Sequence, residues 1–249
     1  MRKNFMKYLR AKDFFNKIAK FYDILMQDMD YKEWAYYIDE IIKKKGKVLD
    51  LGCGTGNISK ILKEKNYNIF GLDIAINMLK IAKKKGLKNI VNASFYKIPF
   101  KSESFDIVIS IFDSLNNVKD LNEMKEVFSE IYRVLKIDGI FTFDLNTIYA
   151  FKSYWNNLIR VEERSNIFVI WEGSYISPNS CILKITIFQK LKNRLYKKHN
   201  FEILEVGFHI DSIIQLLKSL NFRDIIVFEH LSFRKASEKN YRVQFVAKK

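Results

Sequence analysis

The sequence predicts an α/β protein whose core is a doubly wound, seven-stranded, mostly parallel sheet of Rossmann-like type. The apolar run at residues 47–51 ends in a glycine-rich turn and continues as a helical pattern, which is the first strand–turn–helix unit of such a sheet. Further apolar runs of strand length follow, separated by turns or helical patterns, up to residue 146. Residues 105–112 are almost continuously apolar, as expected of a central parallel strand covered on both faces.

Length and composition limit the class of protein. With 249 residues, of which 48% are hydrophobic, the chain can bury one large core and a small appended subdomain. Two cysteines are too few for a disulfide framework, so a reduced, cytoplasmic setting is predicted. No stretch approaches the ~20 apolar residues that span a membrane. The net charge of +15 raises the alternative of a nucleic-acid partner, but the lysines are spread along nearly every predicted helix rather than gathered in one patch.

The glycine-rich turn is the first candidate binding site. Gly52, Gly54 and Gly56 are spaced two apart, with Cys53 between the first two. Because glycine has no side chain, a ligand can approach the backbone N–H groups at the start of the next helix closely. Asn57 is the predicted N-cap of that helix. The turn therefore predicts a nucleotide-like cofactor, beside which Cys53 is expected to be a small packing residue rather than a nucleophile.

Asp73 is the second candidate binding residue, because it stands where the second predicted strand ends. A carboxylate at this point can accept hydrogen bonds from both hydroxyls of a ribose. Dinucleotide-dependent oxidoreductases use the same arrangement, so Asp73 alone leaves that class open. Their fingerprint requires a third glycine where this chain has Asn57, which makes a dinucleotide site the weaker interpretation.

A family resemblance rests on four segments that occur in the expected order between residues 45 and 146. These segments are VLDLGCGTGNIS, GLDIAINMLKIAKKKG, FDIVISIFDSLNNV and EIYRVLKIDGIFTFDLN. They resemble the motifs of the class I S-adenosylmethionine-dependent methyltransferases, in particular the small-molecule type with an antiparallel sheet inserted after strand 5. The resemblance implies S-adenosyl-L-methionine as the cofactor, bound by the glycine turn and Asp73.

The same resemblance assigns residues to the adenine end of the cofactor. Ile74 and Met78 would flank the adenine ring. Family members often have an acidic residue after the third strand that holds the adenine amino group, and this chain has Ser94 there, followed by Phe95. A serine hydroxyl also accepts a hydrogen bond, although it is a weaker acceptor than a carboxylate.

The chain is predicted to have four parts. Two helices, near residues 4–22 and 31–44, form a lid in family members, and three antiparallel strands after strand 5 cover the substrate pocket, so we expect these two parts to close over the pocket from opposite sides. A last helix and a hairpin complete the main sheet. The predicted parts are the helical lid 1–45, the cofactor-binding core 46–164, the β insertion 165–207 and the core completion 208–249.

Candidate acceptor-site residues come from the lid, the insertion and the loop after the fourth strand. In the family a lid tyrosine can face cofactor and substrate, which makes Tyr22 a candidate catalytic residue, and Trp34 a pocket residue. Trp171 of the insertion and Asn116 of the loop are the other pocket candidates. For each aromatic residue the alternative is that it simply packs a helix or a sheet onto the core.

Methyl transfer from a sulfonium is an in-line displacement that requires neither a metal nor a covalent nucleophile, and no metal site is predicted. A general base is useful only if the acceptor must lose a proton. Asp113, at the carboxyl edge of the fourth strand, is the candidate base, with His199 and His209 as alternatives.

The sequence therefore predicts N- or O-methylation of a small molecule. A nucleic-acid methyltransferase is the alternative, although the Asn/Asp-Pro-Pro-aromatic motif of amino methyltransferases is missing; a cofactor-binding protein without methyl transfer is a more distant one.

Overall fold

The computed structural model describes residues 11–249. Helices and strands alternate through the first half of the chain, and strands dominate the second half. In chain order the elements are α1 (Ala11–Leu25), α2 (Tyr31–Ile42), β1 (Lys47–Leu51), α3 (Asn57–Glu64), β2 (Asn68–Asp73), α4 (Ile76–Lys84), β3 (Ile90–Asn92), β4 (Phe105–Ser110), α5 (Leu121–Val134), β5 (Leu135–Asn146), the short α6 (Ile148–Ala150), β6 (Ile159–Arg164), β7 (Ile167–Ile176), β8 (Ser180–Lys190), β9 (Tyr196–Val206), α7 (Ile210–Ser219), β10 (Arg223–Glu229) and β11 (Arg242–Lys248).

The main sheet has seven strands in the order β10-β11-β5-β4-β1-β2-β3. Six of them run in the same direction, while β11 lies between β5 and β10 and runs antiparallel to both. The predicted fold class and the predicted C-terminal hairpin are therefore confirmed. The strand order reverses between β1 and β4, and in open α/β sheets the crevice at the carboxyl ends of such strands is where ligands bind.

The helix after the glycine turn begins differently from the prediction. Gly56, with a φ of +78°, is the N-cap of α3, and Asn57 is the first helical residue. A Cβ at position 56 would lie 2.3 Å from Leu87 Cδ1, so glycine is needed there for both conformation and space. The Asn57 side chain does not cap the helix; its amide donates to Asp23 on α1 (3.2 Å) and accepts from Lys85 (2.5 Å).

The inserted sheet has four strands, in the order β6-β7-β8-β9, where the sequence predicted three. The missed strand, β6, begins at Ile159, before the predicted boundary of the insertion at residue 165. Its sequence IRVEER carries too much charge to resemble a strand of a sheet core, and it pairs along its whole length with β7 at the edge of the sheet. Charged side chains are common on such edges.

Helix α1 and the inserted sheet pack on each other, which corrects the expectation that they close from opposite sides. Phe14, Ile18 and Phe21 of α1 belong to one buried hydrophobic cluster with Phe201 and Ile203 of β9. Met78 of α4 belongs to the same cluster. The part of the predicted first helix before residue 11 lies outside the described residues.

Asn116 joins the main sheet to the inserted sheet and does not line a pocket, which corrects its predicted role. Its Nδ2 donates to the carbonyl oxygens of Asn146 at the end of β5 (3.0 Å) and of Val206 at the end of β9 (2.8 Å). Its Oδ1 accepts from the Asn146 N–H (2.9 Å), and the residue is fully buried. One amide therefore fixes the position of β9 relative to the cofactor-binding sheet.

Replacing Asn116 with Ala is expected to lower the free energy of unfolding by about 2–4 kcal/mol, because it leaves buried backbone groups without partners. Urea unfolding followed by circular dichroism measures this loss. The control is Asn122→Ala, at an exposed position on α5, which should change the free energy by less than about 0.5 kcal/mol. Equal effects of the two substitutions would show that Asn116 does not hold the two sheets together.

Candidate active site

A cavity of about 1160 Å³ lies between the carboxyl edge of the main sheet, helix α1 and the inserted sheet. One end is lined by the glycine turn and the ends of β2 and β4. The other end runs under the inserted sheet, where Trp171, Leu183, Ile185 and Ile203 contribute to the wall. The cavity is thus large enough to hold a cofactor and a second small molecule.

Most of the predicted cofactor residues line the first end of this cavity. They are Gly52, Cys53, Gly54, Asp73, Ile74, Met78, Ser94 and Phe95. Gly56 lies outside the lining and shapes the turn instead. Gly54 has a φ of +54° and no atom within 4 Å of the place where a Cβ would lie, so its backbone is open to a ligand. Burial raises the pKa of the Cys53 thiol, which makes it a poor nucleophile.

Asp73 is held by the backbone around it. Its Oδ2 accepts from the Gly54 N–H (2.8 Å) and its Oδ1 from the Ala75 N–H (2.7 Å). Burial raises the pKa of this carboxyl, and the two N–H donors partly offset that shift. Each oxygen keeps a second lone pair for a ligand. Asp73 therefore both orients the glycine turn and presents a carboxylate to the cavity.

Asp50 and Asp23 support the cofactor end, and sequence reasoning assigned neither. Asp50, at the base of the cavity, accepts from Ser59 Oγ (2.6 Å), and burial raises its pKa to about 7. Asp23 on α1 accepts from Thr55 Oγ1 of the glycine turn (2.7 Å) and pairs with Lys85 (2.8 Å). Helix α1 is thereby fastened to the turn that it covers.

Tyr22 lines the cavity from α1, near the carboxylates of both Asp73 and Asp113. Burial first, and then the charges of Tyr31 and of these two carboxylates, raise the pKa of the Tyr22 phenol well above its ordinary value. The phenol therefore stays protonated. It is placed to donate a hydrogen bond between the two ends of the cavity and is unsuited to act as a base.

A network of charged groups joins the loop after β4 to β5 and to the start of β11. Arg242 Nη2 pairs with Asp113 Oδ1 (2.8 Å), and Arg242 Nη1 pairs with Asp144, which is fully buried. Asp144 also accepts from the Asp113 backbone N–H (3.0 Å). Burial raises the pKa of Asp144 to about 6 although Arg242 acts against the shift. Asp113 thus lines the cavity as predicted, but as the partner of an arginine that sequence reasoning missed.

Glu205 is the second missed residue of this region. It lines the cavity from the end of β9, and its carboxyl group faces that of Asp113. Its Oε2 accepts from Asn146 Nδ2 (3.4 Å). Alternation along β9 places it on the same face as the buried Phe201 and Ile203. A carboxylate on the apolar face of a strand was the signal in the sequence that could have revealed it.

Trp34 and the histidine candidates lie away from the cavity lining, whereas Trp171 lines it. The Trp34 ring is buried and stacks on Phe112, with 4.0 Å between ring centroids. Since Phe112 lines the cavity, Trp34 supports the wall from behind, which is the core alternative considered for it. His209 is exposed beside Glu238, and His199 packs against Phe21. Neither histidine is therefore placed to act as a base on a molecule in this cavity.

Residues 11–249 contain neither a cluster of metal-binding side chains nor a membrane-spanning helix. No group of three or more His, Cys, Asp or Glu side chains in that range is arranged to hold a metal ion. In the same range no helix is long and apolar enough to cross a bilayer.

Fold and site together define a class of protein: a Rossmann-like fold with a glycine turn and a buried carboxylate, Asp73, that lines the cavity at the carboxyl edge of the sheet. Residues 49–143 match the family model described as a methyltransferase domain. A protein of Geobacillus sp. (strain WCH70), designated a methyltransferase without a stated acceptor, is 29% identical over 245 residues, which are 94% of this chain and 99% of that protein.

Two further similar proteins are also methyltransferases. The demethylmenaquinone methyltransferase of Thermotoga maritima is 33% identical over 134 residues, covering 50% of this chain and 56% of that protein. The crystal structure of an S-adenosylmethionine-dependent methyltransferase from Clostridium acetobutylicum ATCC 824 has a TM-score of 0.81 and 26% identity, covering 94% of this chain and 98% of that one. These similarities support the predicted class, an S-adenosylmethionine-dependent methyltransferase, and S-adenosylmethionine as its cofactor.

Proposed function

We propose that the chain methylates a nitrogen or oxygen atom of a small molecule bound under the inserted sheet. The observation that carries this proposal is the size of the cavity, about 1160 Å³, whose lining includes Trp171, Leu183 and the pair Asp113 and Glu205 as well as the predicted cofactor residues. Apolar walls with a few polar groups are typical of small-molecule pockets. A relative named for demethylmenaquinone, which is a small molecule, supports the same class of acceptor.

We assign the cofactor contacts as follows. Asp73 would accept hydrogen bonds from the ribose hydroxyls, beside the open backbone of Gly54. Ile74 and Met78 would flank the adenine ring. Ser94, with Phe95 next to it, would accept a hydrogen bond from the adenine amino group. These contacts would hold the cofactor at the first end of the cavity and leave the rest of the cavity to the acceptor.

Bound S-adenosylmethionine supplies a methyl group on a sulfonium, which is already an activated leaving group, so we propose direct transfer without a metal. The chain would contribute alignment of the acceptor and exclusion of water. Helix α1 covers the cavity, and Asp23 fastens it to Thr55 of the glycine turn (2.7 Å). Tyr22 would donate a hydrogen bond to the cofactor or the acceptor.

The cover that α1 and the inserted sheet form over part of the cavity supports a small acceptor over a nucleic acid. The net charge of +15 is the reason to test nucleic acids directly as the alternative acceptor. Both cysteines, Cys53 and Cys181, are free and buried, which supports a reducing, cytoplasmic location.

Labelled S-adenosylmethionine tests the acceptor class. The enzyme is incubated with methyl-labelled cofactor and, separately, with a fractionated small-molecule extract, bulk RNA and bulk DNA. We expect label in one or a few small-molecule fractions and background levels in both nucleic acids. Label in RNA or DNA alone would contradict the proposal and support the nucleic-acid alternative.

A further inference from the structure

Glu205 is a carboxyl group that the cofactor does not need. It stands on β9, outside the main sheet, and lines the acceptor end of the cavity. The Asn116 side-chain amide donates hydrogen bonds to the carbonyl oxygen of the neighbouring Val206 (2.8 Å) and to that of Asn146 (3.0 Å). The Asn146 side chain in turn donates to Glu205 Oε2 (3.4 Å). The position of Glu205 is thus determined by the contact between the two sheets.

The groups around Glu205 carry an excess of negative charge. Asp113 faces it from the loop after β4, and Arg242 approaches from β11. Asp144 of β5 shares the same arginine. Three carboxyl groups therefore surround one guanidinium. Tyr22, from α1, stays a neutral phenol near Asp113.

We propose that Glu205 is the proton acceptor of the reaction and that the methyl acceptor is an amine, which enters as an ammonium held between Glu205 and Asp113. This inference rests on the proposed function. The ammonium gives one proton to the Glu205 carboxylate, and the freed nitrogen lone pair attacks the methyl carbon. The carbon–sulfur bond breaks, its electron pair stays on sulfur, and the methylated nitrogen becomes positively charged. The proton on Glu205 passes to water when the product leaves.

Electrostatics favour an amine over a hydroxyl as the acceptor. A nitrogen that attacks a methyl group gains positive charge in the transition state, which nearby carboxylates stabilise. A hydroxyl must gain negative charge as it loses its proton, and the same carboxylates would oppose that. The surroundings also suit Glu205 to exchange a proton, because burial, followed by the charge of Asp113, raises its pKa to about 8 while Arg242 and Asn146 act against the shift, so that its carboxylate form becomes available around pH 8.

The test compares the full chain with Glu205→Gln, which keeps the size of the side chain and removes its ability to accept the proton. The control is Glu202→Gln, at the other face of the same strand, where the carboxylate lies near Lys184 (3.7 Å). Calorimetry with S-adenosylhomocysteine checks that each variant is folded and binds the cofactor product with wild-type affinity. The rate of label transfer into the small-molecule extract is then measured from pH 6 to 10, with the native extract and with an extract whose amines have been acetylated.

We expect Glu205→Gln to lose at least a hundredfold in transfer rate and to lose the rise in rate that the wild type shows around pH 8, whereas Glu202→Gln behaves as wild type. Acetylation of the extract should abolish transfer. If Glu205→Gln keeps the wild-type rate and pH profile, Glu205 is not the proton acceptor. If the acetylated extract still accepts label, the methyl acceptor is not an amine. If the wild type labels no small molecule, the proposed function fails, and this inference fails with it.

Discussion

Replacing Asp73 with Asn is expected to raise the dissociation constant for S-adenosylmethionine by about ten- to a hundredfold, which is ~1.4–2.8 kcal/mol. The carboxylate oxygens of Asp73 accept hydrogen bonds from the Gly54 and Ala75 N–H groups, and the carboxylate also lines the cavity. The asparagine side chain has only one oxygen, so it cannot replace both. Hydrogen bonds to a charged acceptor are worth more than those to a neutral one. Isothermal titration calorimetry measures the change.

The control for Asp73 is Asp106→Asn, because Asp106 also accepts a backbone N–H, from Lys47 (2.9 Å), but stands at the opposite end of the strands. That variant should bind the cofactor with wild-type affinity. Alanine is the wrong choice at position 73, because it would also remove both internal hydrogen bonds and mix a folding defect with a binding defect. An unchanged affinity in Asp73→Asn would remove Asp73 from the cofactor site.

Replacing Arg242 with Met is expected to lower the free energy of unfolding by about 3–5 kcal/mol, because it leaves the buried Asp144 without its ion-pair partner. Asp113 loses its partner in the same substitution. Urea unfolding at pH 5.5 and pH 8 measures the loss. Arg223→Met is the control, since Arg223 forms an exposed pair with Asp138 and should contribute less than about 1 kcal/mol.

The loss in Arg242→Met should grow as the pH rises. Burial already raises the pKa of Asp144 to about 6, and Arg242 opposes that shift. Without Arg242 the folded-state pKa rises further above the unfolded value, and a group with a raised pKa gives stability at low pH that is lost as the pH rises through the folded pKa. Adding Asp144→Asn to the variant should recover part of the loss at pH 8. A loss that is the same at both pH values would show that burial of this ion pair does not control stability.

The segment from β1 to β5 was predictable because its signals are local. Alternation of apolar runs with helical patterns predicted the parallel strands, and glycines at 52, 54 and 56 predicted the turn that joins β1 to α3. Asp73 could be placed because a carboxylate directly after a strand stands at the carboxyl edge of the sheet wherever the strand goes. Two predictions inside this segment were wrong: Asn57 does not cap α3, and the Asn116 amide faces backbone groups from two distant strands.

The acceptor side of the cavity could not be predicted, because its residues come together only through packing of the two sheets. Arg242 and Asp144 are 98 positions apart, and Asn116 and Val206 are 90. No local period marks such pairs, so the fourth strand of the insertion and the position of Glu205 beside Asp113 were missed, and the choice between pocket and core for Trp34 stayed open. The sequence by itself determined the fold of the cofactor-binding sheet and the class of cofactor, since both follow from short-range patterns. Only the tertiary structure decided which carboxyl groups face the acceptor, since burial and the charges of neighbours distant in the chain set their positions and their pKa values.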